Sequence, residues 1–475
     1  MHISEDTPEE GDPTKSKVDA SFIPEEDSSF VMPKVPNWAF QRYTVEFKRG
    51  GTKYDPFDDK NPLQPESEAD DRRHVRGQLF SYADLIFKYQ HRTAHFMLLV
   101  NGFMFRIMRW DRSGVIVSEA TEYAATIEHT RGLLQLLYGL SRMDPVQAGL
   151  DPTATRLSPG SCGWLRMLSL SFNNVLDLKA DKLVQDHTSK AAIETVLRTY
   201  RAATVPTSPL FASGELPTDP RQLFAHPSSS SNTAKNSSHS MRSPCPPTFT
   251  YIRELFKESL DSKVGYVLTV KKRDYLVGSA IYAAMGPIGR GTRGYVALEW
   301  DSQRFVFLKD TWRPHYVGVG IEGETLRILN DAHIPCVPTL VCHEDLEKQV
   351  TLTSQHSPKT NTKRPAALPT RSLPQRRGSR STAARRSNAS GSQAPASTTA
   401  PTLPASGTKR SHGETDADRK KQPGWGLRHL THSRIVVAEV CLPLTQCPNS
   451  RTLVRVLGHA VHGAFADVLH LALRC

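Results

Sequence analysis

Cysteine is scarce in this chain: seven residues among 475, an odd number standing singly between Cys162 and Cys475. Neither Cys336/Cys342 nor Cys441/Cys447 has the spacing of a zinc ligand pair, so the sequence offers neither a disulfide framework nor a zinc finger. A reducing, intracellular compartment is expected. Long apolar runs are also missing. The most apolar stretch, "FMLLVNGFMFRIM", is interrupted by Asn101 and Arg106 and is too short to span a bilayer. The first residues, "MHISEDTPEE", are acidic and lack the apolar centre of a signal peptide. No membrane association is expected, and no internal repeat is visible.

Acidic residues are nearly absent from one segment. Between Lys359 and Lys421 fourteen Lys or Arg face only Glu414, Asp416 and Asp418, which accounts for eleven of the formal +12 charges of the whole chain. The same stretch has almost no aromatic or β-branched aliphatic residues, so it cannot bury a core. Its arginine pairs, 376/377 and 385/386, could touch phosphates nonspecifically, but without interleaved aromatics there is no platform for stacking bases. The basic clusters within 409–421 have a bipartite, nuclear-import-like spacing, so the protein is expected in the cytoplasm or nucleus. A solvated, disordered insertion accounts for the segment equally well.

What is present is patterned. "RYTVEFK" (42–48) alternates as a strand does, and "QLFSYADLIFKYQ" (78–90) places Leu79, Tyr82, Ala83 and Ile86 on one helical face. Three strands are expected from His95 to Glu119, joined by Asn101-Gly102 as a type I′ turn and by a second turn over residues 111–114. Helical text is expected from about Glu122 to Ala203. The segments implied are an acidic tail (1–30), an α/β module (31–150), a helical region (151–225), a flexible linker (226–247), a second folded block (248–350), the basic disordered insertion (351–425) and a closing segment (426–475).

The second block holds "GRGTRGYV", with glycines at 289, 291 and 294. A GxGxxG pattern alone is weak, because two unrelated nucleotide folds use it. A dinucleotide fold needs a helix at the last glycine, yet "YVALEWDSQRFVFLKD" alternates, turns at Asp301-Ser302 and alternates back. A glycine loop folded over phosphates by a hairpin calls for a lysine on the next strand and a carboxylate on a packed helix. Lys309 meets the first requirement. Glu322 meets the second if Leu326 and Leu329 face inward, with Glu324 as the fallback. The plainer alternative is a solvated strand lysine and a solvated helix face.

Together with "EGETLRIL" and "VPTL", "SRIVVAEVCLPL", "RGQLFSYADLIFKYQHRTAHF" and "RIMRWDRSGVIVSEATEY", these motifs resemble the fungal-type protein kinases from about Asp19 to His470. The resemblance implies an α+β fold: a protein-kinase-like small lobe and hinge with an incomplete C-terminal lobe, preceded by the α/β module. It implies ATP-dependent Ser/Thr-type phosphorylation of a protein substrate, with Mg²⁺ as the accompanying metal. ATP would lie under Gly289, Gly291 and Gly294, against Val296, on Lys309 paired with Glu322, and along the backbone of Glu439, Val440 and Cys441. His470 stands at the position of the catalytic-loop histidine, but "LALRC" follows, and no catalytic Asp, metal-binding Asn or DFG motif comes after it. The chain is therefore expected to be catalytically incompetent, with no kinase-type ligands for Mg²⁺.

A second, looser constellation lies in the first module. An Asp on one strand (Asp19), a Glu-x-Lys on the next (Glu46, Lys48) and a Gln-x-x-x-Tyr on the following helix (Gln78, Tyr82) are similar to the PD-(D/E)xK layout of RecB-like nucleases. That layout implies a divalent metal on Asp19 and Glu46 and a lysine assisting the attacking water. An ordinary cross-face pair on a half-buried strand is the plainer account. Trp110, in "WDRSG", reads as packing rather than base stacking.

Overall fold

A computed structural model describes residues 1–4, 14–61, 65–172, 248–262, 264–314, 320–356, 427–446 and 449–458, together with Asp12, Asp177, Leu223, Phe224, Ala460 and Val461. The chain divides into two compact units, residues 1–357 with 427–475, and residues 358–426. The second unit, and with it the basic segment and the 409–421 clusters, lies outside the described residues.

The first sheet runs in the order β1 (His2–Ile3), β2 (Ala20–Phe22), β3 (Tyr43–Lys48), β4 (His95–Asn101), β5 (Met104–Asp111), β6 (Gly114–Val117), with β7 (Thr121–Glu122) also on β5. Only β3 and β4 are parallel, and α1 (Asp70–Tyr89) connects them. The helix forms because Val75, Leu79, Tyr82 and Ile86 recur at helical spacing, and Asp70 and Asp71 stand in the first turn, where the helix dipole favours negative charge. That stripe packs with Trp38, Met97, Leu99, Met108 and Trp110 on one face of the sheet. Each large side chain buried there stabilises by roughly 1.5–3 kcal/mol. The other face, with Val45, Leu98, Val100 and Phe105, is covered by α2 (Ile127–Arg142).

Local geometry departs from the sequence reading in two places. Asn101 pairs with Met104, so the two-residue turn is Gly102-Phe103, one position later than expected, and Gly102 takes the positive φ of 60°. The expected continuous helical stretch is broken into α2, the strand β8 (Ala154–Leu157) and α3 (Cys162–Phe172). Pro145, Pro152 and Pro159 fall in the breaks, where a ring without an N–H cannot continue a helix.

The strand β8 leaves the first module and joins a second sheet, ordered β14 (Leu340–Val350), β15 (Leu430–Val437), β13 (Phe305–Pro314), β12 (Arg293–Glu299), β10 (Arg273–Val277), β9 (Gly265–Val270), β8, with β11 (Tyr282–Ala283) also on β12. All these pairs are antiparallel. One face is covered by α3 and α4 (Thr250–Ser259), whose Trp164, Met167, Ile252 and Phe256 meet Val296, Leu298 and Phe305. The helix α5 (Glu322–Asp331) packs by β14. A helical stretch over 450–458 follows, in which Leu457 is exposed, as is Val461 beyond it.

A buried polar network ties the first module to this sheet. Arg293 Nη2 donates to Asp310 Oδ2 at 2.6 Å and Arg293 Nη1 to the Gln90 carbonyl at 3.0 Å. Arg434 Nε donates to Asp310 Oδ1 at 3.1 Å and Arg434 Nη2 to Asp151 Oδ2 at 2.5 Å. His432 Nε2 lies 2.6 Å from Asp310 Oδ1. All of these residues are buried. Two guanidinium groups thus face two carboxylates, the condition under which buried charge is tolerated.

Candidate functional site

The β12–β13 hairpin sets the site's register. Gly294 pairs with Lys309 and Val296 with Phe307, so Val296, Phe307 and Lys309 share one face of the sheet. Lys309 Nζ donates to both carboxylate oxygens of Glu322, at 2.6 and 2.7 Å. Glu324 takes Arg327 instead, at 2.5 Å, and lies 3.8 Å from His343. The approach of α5 depends on a residue that sequence reasoning passed over: a Cβ at Gly323 would stand 2.1 Å from Cγ of His343 on β14. The Lys309 and Glu322 side chains remain 25% and 45% exposed. An ion pair so open to water contributes at most about 1 kcal/mol to stability. Its geometry serves position rather than the core.

The glycine turn precedes β12. Gly289 and Gly291 have φ of 105° and 47°, whereas Gly294 sits within β12. The turn rests on Arg112, from the β5–β6 turn of the first module. Gly289 N donates to the Arg112 carbonyl at 2.7 Å, and Arg112 Nη1 donates to the carbonyls of Gly286 and Pro287 at 3.3 and 3.2 Å. A Cβ at Gly291 would come within 2.4 Å of the Arg112 guanidinium carbon. The same guanidinium lies 4.5 Å over the Phe87 ring, and its burial brings its pKa down to about 9. Close approach of an arginine therefore supplies a reason for glycine at 291 that the sequence pattern does not reveal.

The face expected to receive a base is covered. Val296 is buried among Trp164, Ile252, Phe256 and Val440. Tyr251, on α4, donates its hydroxyl to the Val440 carbonyl at 2.6 Å. Glu439 is turned to Thr339, accepting from its N–H at 2.8 Å and its hydroxyl at 2.6 Å, while Cys441 is exposed. The residues named from sequence thus lie on and around the interior strands β12, β13 and β15, with α4 seated over Val296 and the Val440 carbonyl.

The second constellation also comes together. Lys48 Nζ donates to Glu46 Oε1 at 2.5 Å and to Gln78 Oε1 at 2.8 Å, and Gln78 Nε2 donates to the Tyr82 hydroxyl at 2.6 Å. That hydroxyl in turn donates to the Lys17 carbonyl. Asp19 Oδ2 accepts from the Phe47 N–H at 2.7 Å. Burial pushes the Glu46 pKa up to about 7, with the Asp19 charge adding to the rise and the Lys48 bond opposing it. Trp110 packs edge-on against Phe80 within the α1 core.

His470 lies outside the described residues. No helix among the described residues is long and apolar enough to cross a membrane. The family model for fungal protein kinases matches residues 61–187 and 259–470, which spans both the first module and the second sheet. No curated protein and no solved structure matches the chain. With a mixed α+β architecture, a glycine turn, a strand lysine and a helix glutamate in the order that lobe requires, and a family match over more than half of its length, the chain belongs to the fungal protein kinase family.

Proposed function

We propose that the second sheet is a nucleotide-binding lobe that takes ATP with its phosphates at Lys309, the ammonium being held by Glu322. The observation that carries this reading is the two-oxygen contact between Lys309 and Glu322, on a strand next to a glycine turn. The lysine side fits an ATP phosphate, because the pair is open to solvent. The base side fits only after a rearrangement, because Tyr251 holds the Val440 carbonyl and Ile252 and Phe256 cover Val296. Binding is therefore coupled to withdrawal of α4. Mg²⁺ would arrive with the phosphates: among the described residues no group of three or more His, Cys, Asp or Glu gathers to hold a metal. Protein is the substrate class that the family implies.

The test is thermal unfolding of the full chain with and without ATP. At a hundredfold excess over Kd, ATP stabilises the folded state by about 2.7 kcal/mol. Lys309→Met abolishes the stabilisation, and Tyr251→Phe, which frees the Val440 carbonyl, enlarges it at a fixed ATP concentration. If neither the wild-type chain nor Tyr251→Phe is stabilised by ATP, the lobe does not bind nucleotide.

A further inference from the structure

A small cavity lies on the α2 side of the first sheet, between the end of β2 and the last turns of α2, and the nucleotide lobe does not use it. It forms where a strand pair stops. Phe22 stands opposite Tyr43 in the last pair of β2 with β3, and its carbonyl accepts from the Arg42 N–H at 2.7 Å. Pro24, which has no N–H to continue the ladder, then leads the chain into the short helical segment Glu25–Phe30. The gap left beside β3 has a volume of about 180 Å³, and Phe22, Pro24, Tyr43, Leu137 and Leu140 give it apolar walls. A dry cavity of roughly 150 Å³ with such a lining takes up a benzene molecule, so this one suits an apolar body of about one ring. The Phe22 and Tyr43 rings already meet edge to face, 6.4 Å apart at 68°.

The polar groups decide what else a ligand must carry. Each of the two hydroxyls at the cavity has one hydrogen, and both are committed: Tyr43 donates to the Leu140 carbonyl at 2.8 Å and Ser141 to the Tyr138 carbonyl at 2.7 Å. Arg42 is left as the lining side chain with donors to offer. Its Nε is buried and has no hydrogen-bond partner among the described residues. Asp27 feels the Arg42 charge, but its carboxylate accepts from Arg156. The helix dipole favours a cation near the end of α2, yet the Leu140 carbonyl there already takes the Tyr43 hydroxyl and the Met143 N–H, so it gives Nε no bond. Complementing a helix end explains the charge and leaves both the cavity and the unpaired donor unexplained.

We infer that this cavity binds a small monocarboxylic acid, its apolar body seated between Phe22, Leu137 and Leu140 and its carboxylate on the Arg42 guanidinium. A planar guanidinium takes a carboxylate through two parallel N–H···O bonds, and a buried Nε with nothing to donate to is one half of such a fork. An anion also meets the unpaired charge, which an alcohol of the same shape does not. This site is separate from Lys309 and stands or falls without it.

The experiment is equilibrium dialysis of the full-length chain against labelled benzoate, with benzyl alcohol as a neutral probe of the same ring size. One benzoate per chain is expected, bound about 10–100-fold more tightly than benzyl alcohol, as hydrogen bonds to a charged group provide. Arg42→Met keeps the apolar stem and removes the donors. It should cost benzoate that same factor and leave benzyl alcohol as it was, whereas a merely structural role would weaken both probes alike. Ser141 lines the cavity and is exposed, so Ser141→Phe should fold, fill the opening and abolish binding of both. If Arg42→Met does not fold, the wild-type preference for the anion and its loss in Ser141→Phe decide the matter. Absence of benzoate binding, equal affinity for the two probes, or benzoate binding that survives Arg42→Met or Ser141→Phe unchanged would overturn the assignment.

Discussion

Removing the Asp310 charge tests how the first module and the lobe are joined. Its two oxygens accept from Arg293, Arg434 and His432 in a site closed to water. In Asp310→Asn the shape is kept, but Asp151 alone must balance two buried guanidinium groups, and an amide N–H₂ is forced against a donor. Breaking a buried pair in this way costs about 3–5 kcal/mol. For a folded unit of this size that lowers the thermal midpoint by on the order of 10 °C. The acid limb adds a second reading. Burial disfavours the Asp310 charge, but His432, Arg293 and Arg434 outweigh it and hold the carboxyl well below its usual 3.8. Asp151 is held low as well, Arg434 and His432 overcoming its burial. Both folded pKa values are depressed, so the unfolded chain takes up protons first as pH falls. The stabilisation is complete above about pH 5 and drains away as pH falls through the usual aspartate value of 3.8. Wild-type stability, followed by near-ultraviolet circular dichroism in urea, should fall more steeply with acid than that of Asp310→Asn. Coupling is the sharpest check. Arg434→Met removes the stranded cation, so the double variant should lose at least about 1 kcal/mol less than the two single losses added together. A single-variant loss under about 1 kcal/mol, or strict additivity, would refute a charge-balanced network.

Gly291→Ala introduces a Cβ 2.4 Å from the Arg112 guanidinium at a φ of 47°, and should destabilise by about 1–3 kcal/mol in urea unfolding. Part of that loss should return in the Arg112→Ala background if the arginine is the obstacle. Gly149→Ala places a Cβ 2.1 Å from the Ala94 carbonyl oxygen at a φ of 89°, where only backbone could yield; a loss of about 3 kcal/mol or more is expected, and a loss under 1 would refute the close approach. Gly323→Ala should push α5 off His343, and the reading fails if ATP stabilisation of the variant equals that of the wild type.

Elements whose evidence is periodic were legible in the sequence. The α1 stripe, the alternation of Tyr43–Lys48 and the hairpin carrying Lys309 are each written within twenty residues, so local burial decides them. Glu322 was legible for the same reason, since Leu329 fixes which side of α5 faces inward. Contacts between distant segments were not. Arg112 meets the glycine turn across more than 170 residues, and Tyr251 meets Val440 across 189. A signal for the buried network did exist. Asp310 beside Trp312, and His432 and Arg434 among the aliphatics of β15, are charges at positions where alternation points inward, which only a paired charge occupies stably.

The two residues that seat themselves on the proposed nucleotide-binding face, Arg112 and Tyr251, both come from outside its strands. Arg112 holds the glycine turn by its carbonyls, leaving Lys309 and Glu322 open; Tyr251 holds the carbonyl at the far end and closes the base face. Their effects on ATP should therefore separate. A ligand shifts a conformational equilibrium only by the difference in its affinity for the two states, so if ATP binds as proposed, with base contacts that form only when α4 is away, ATP and α4 should compete directly. Arg112 makes no contact that a base would displace. On the proposed reading its removal should loosen the turn and weaken ATP binding, whereas loosening Tyr251 should strengthen it. Opposite signs from these two side chains would place the energetic cost of binding in α4, and equal signs would place it in the fold as a whole.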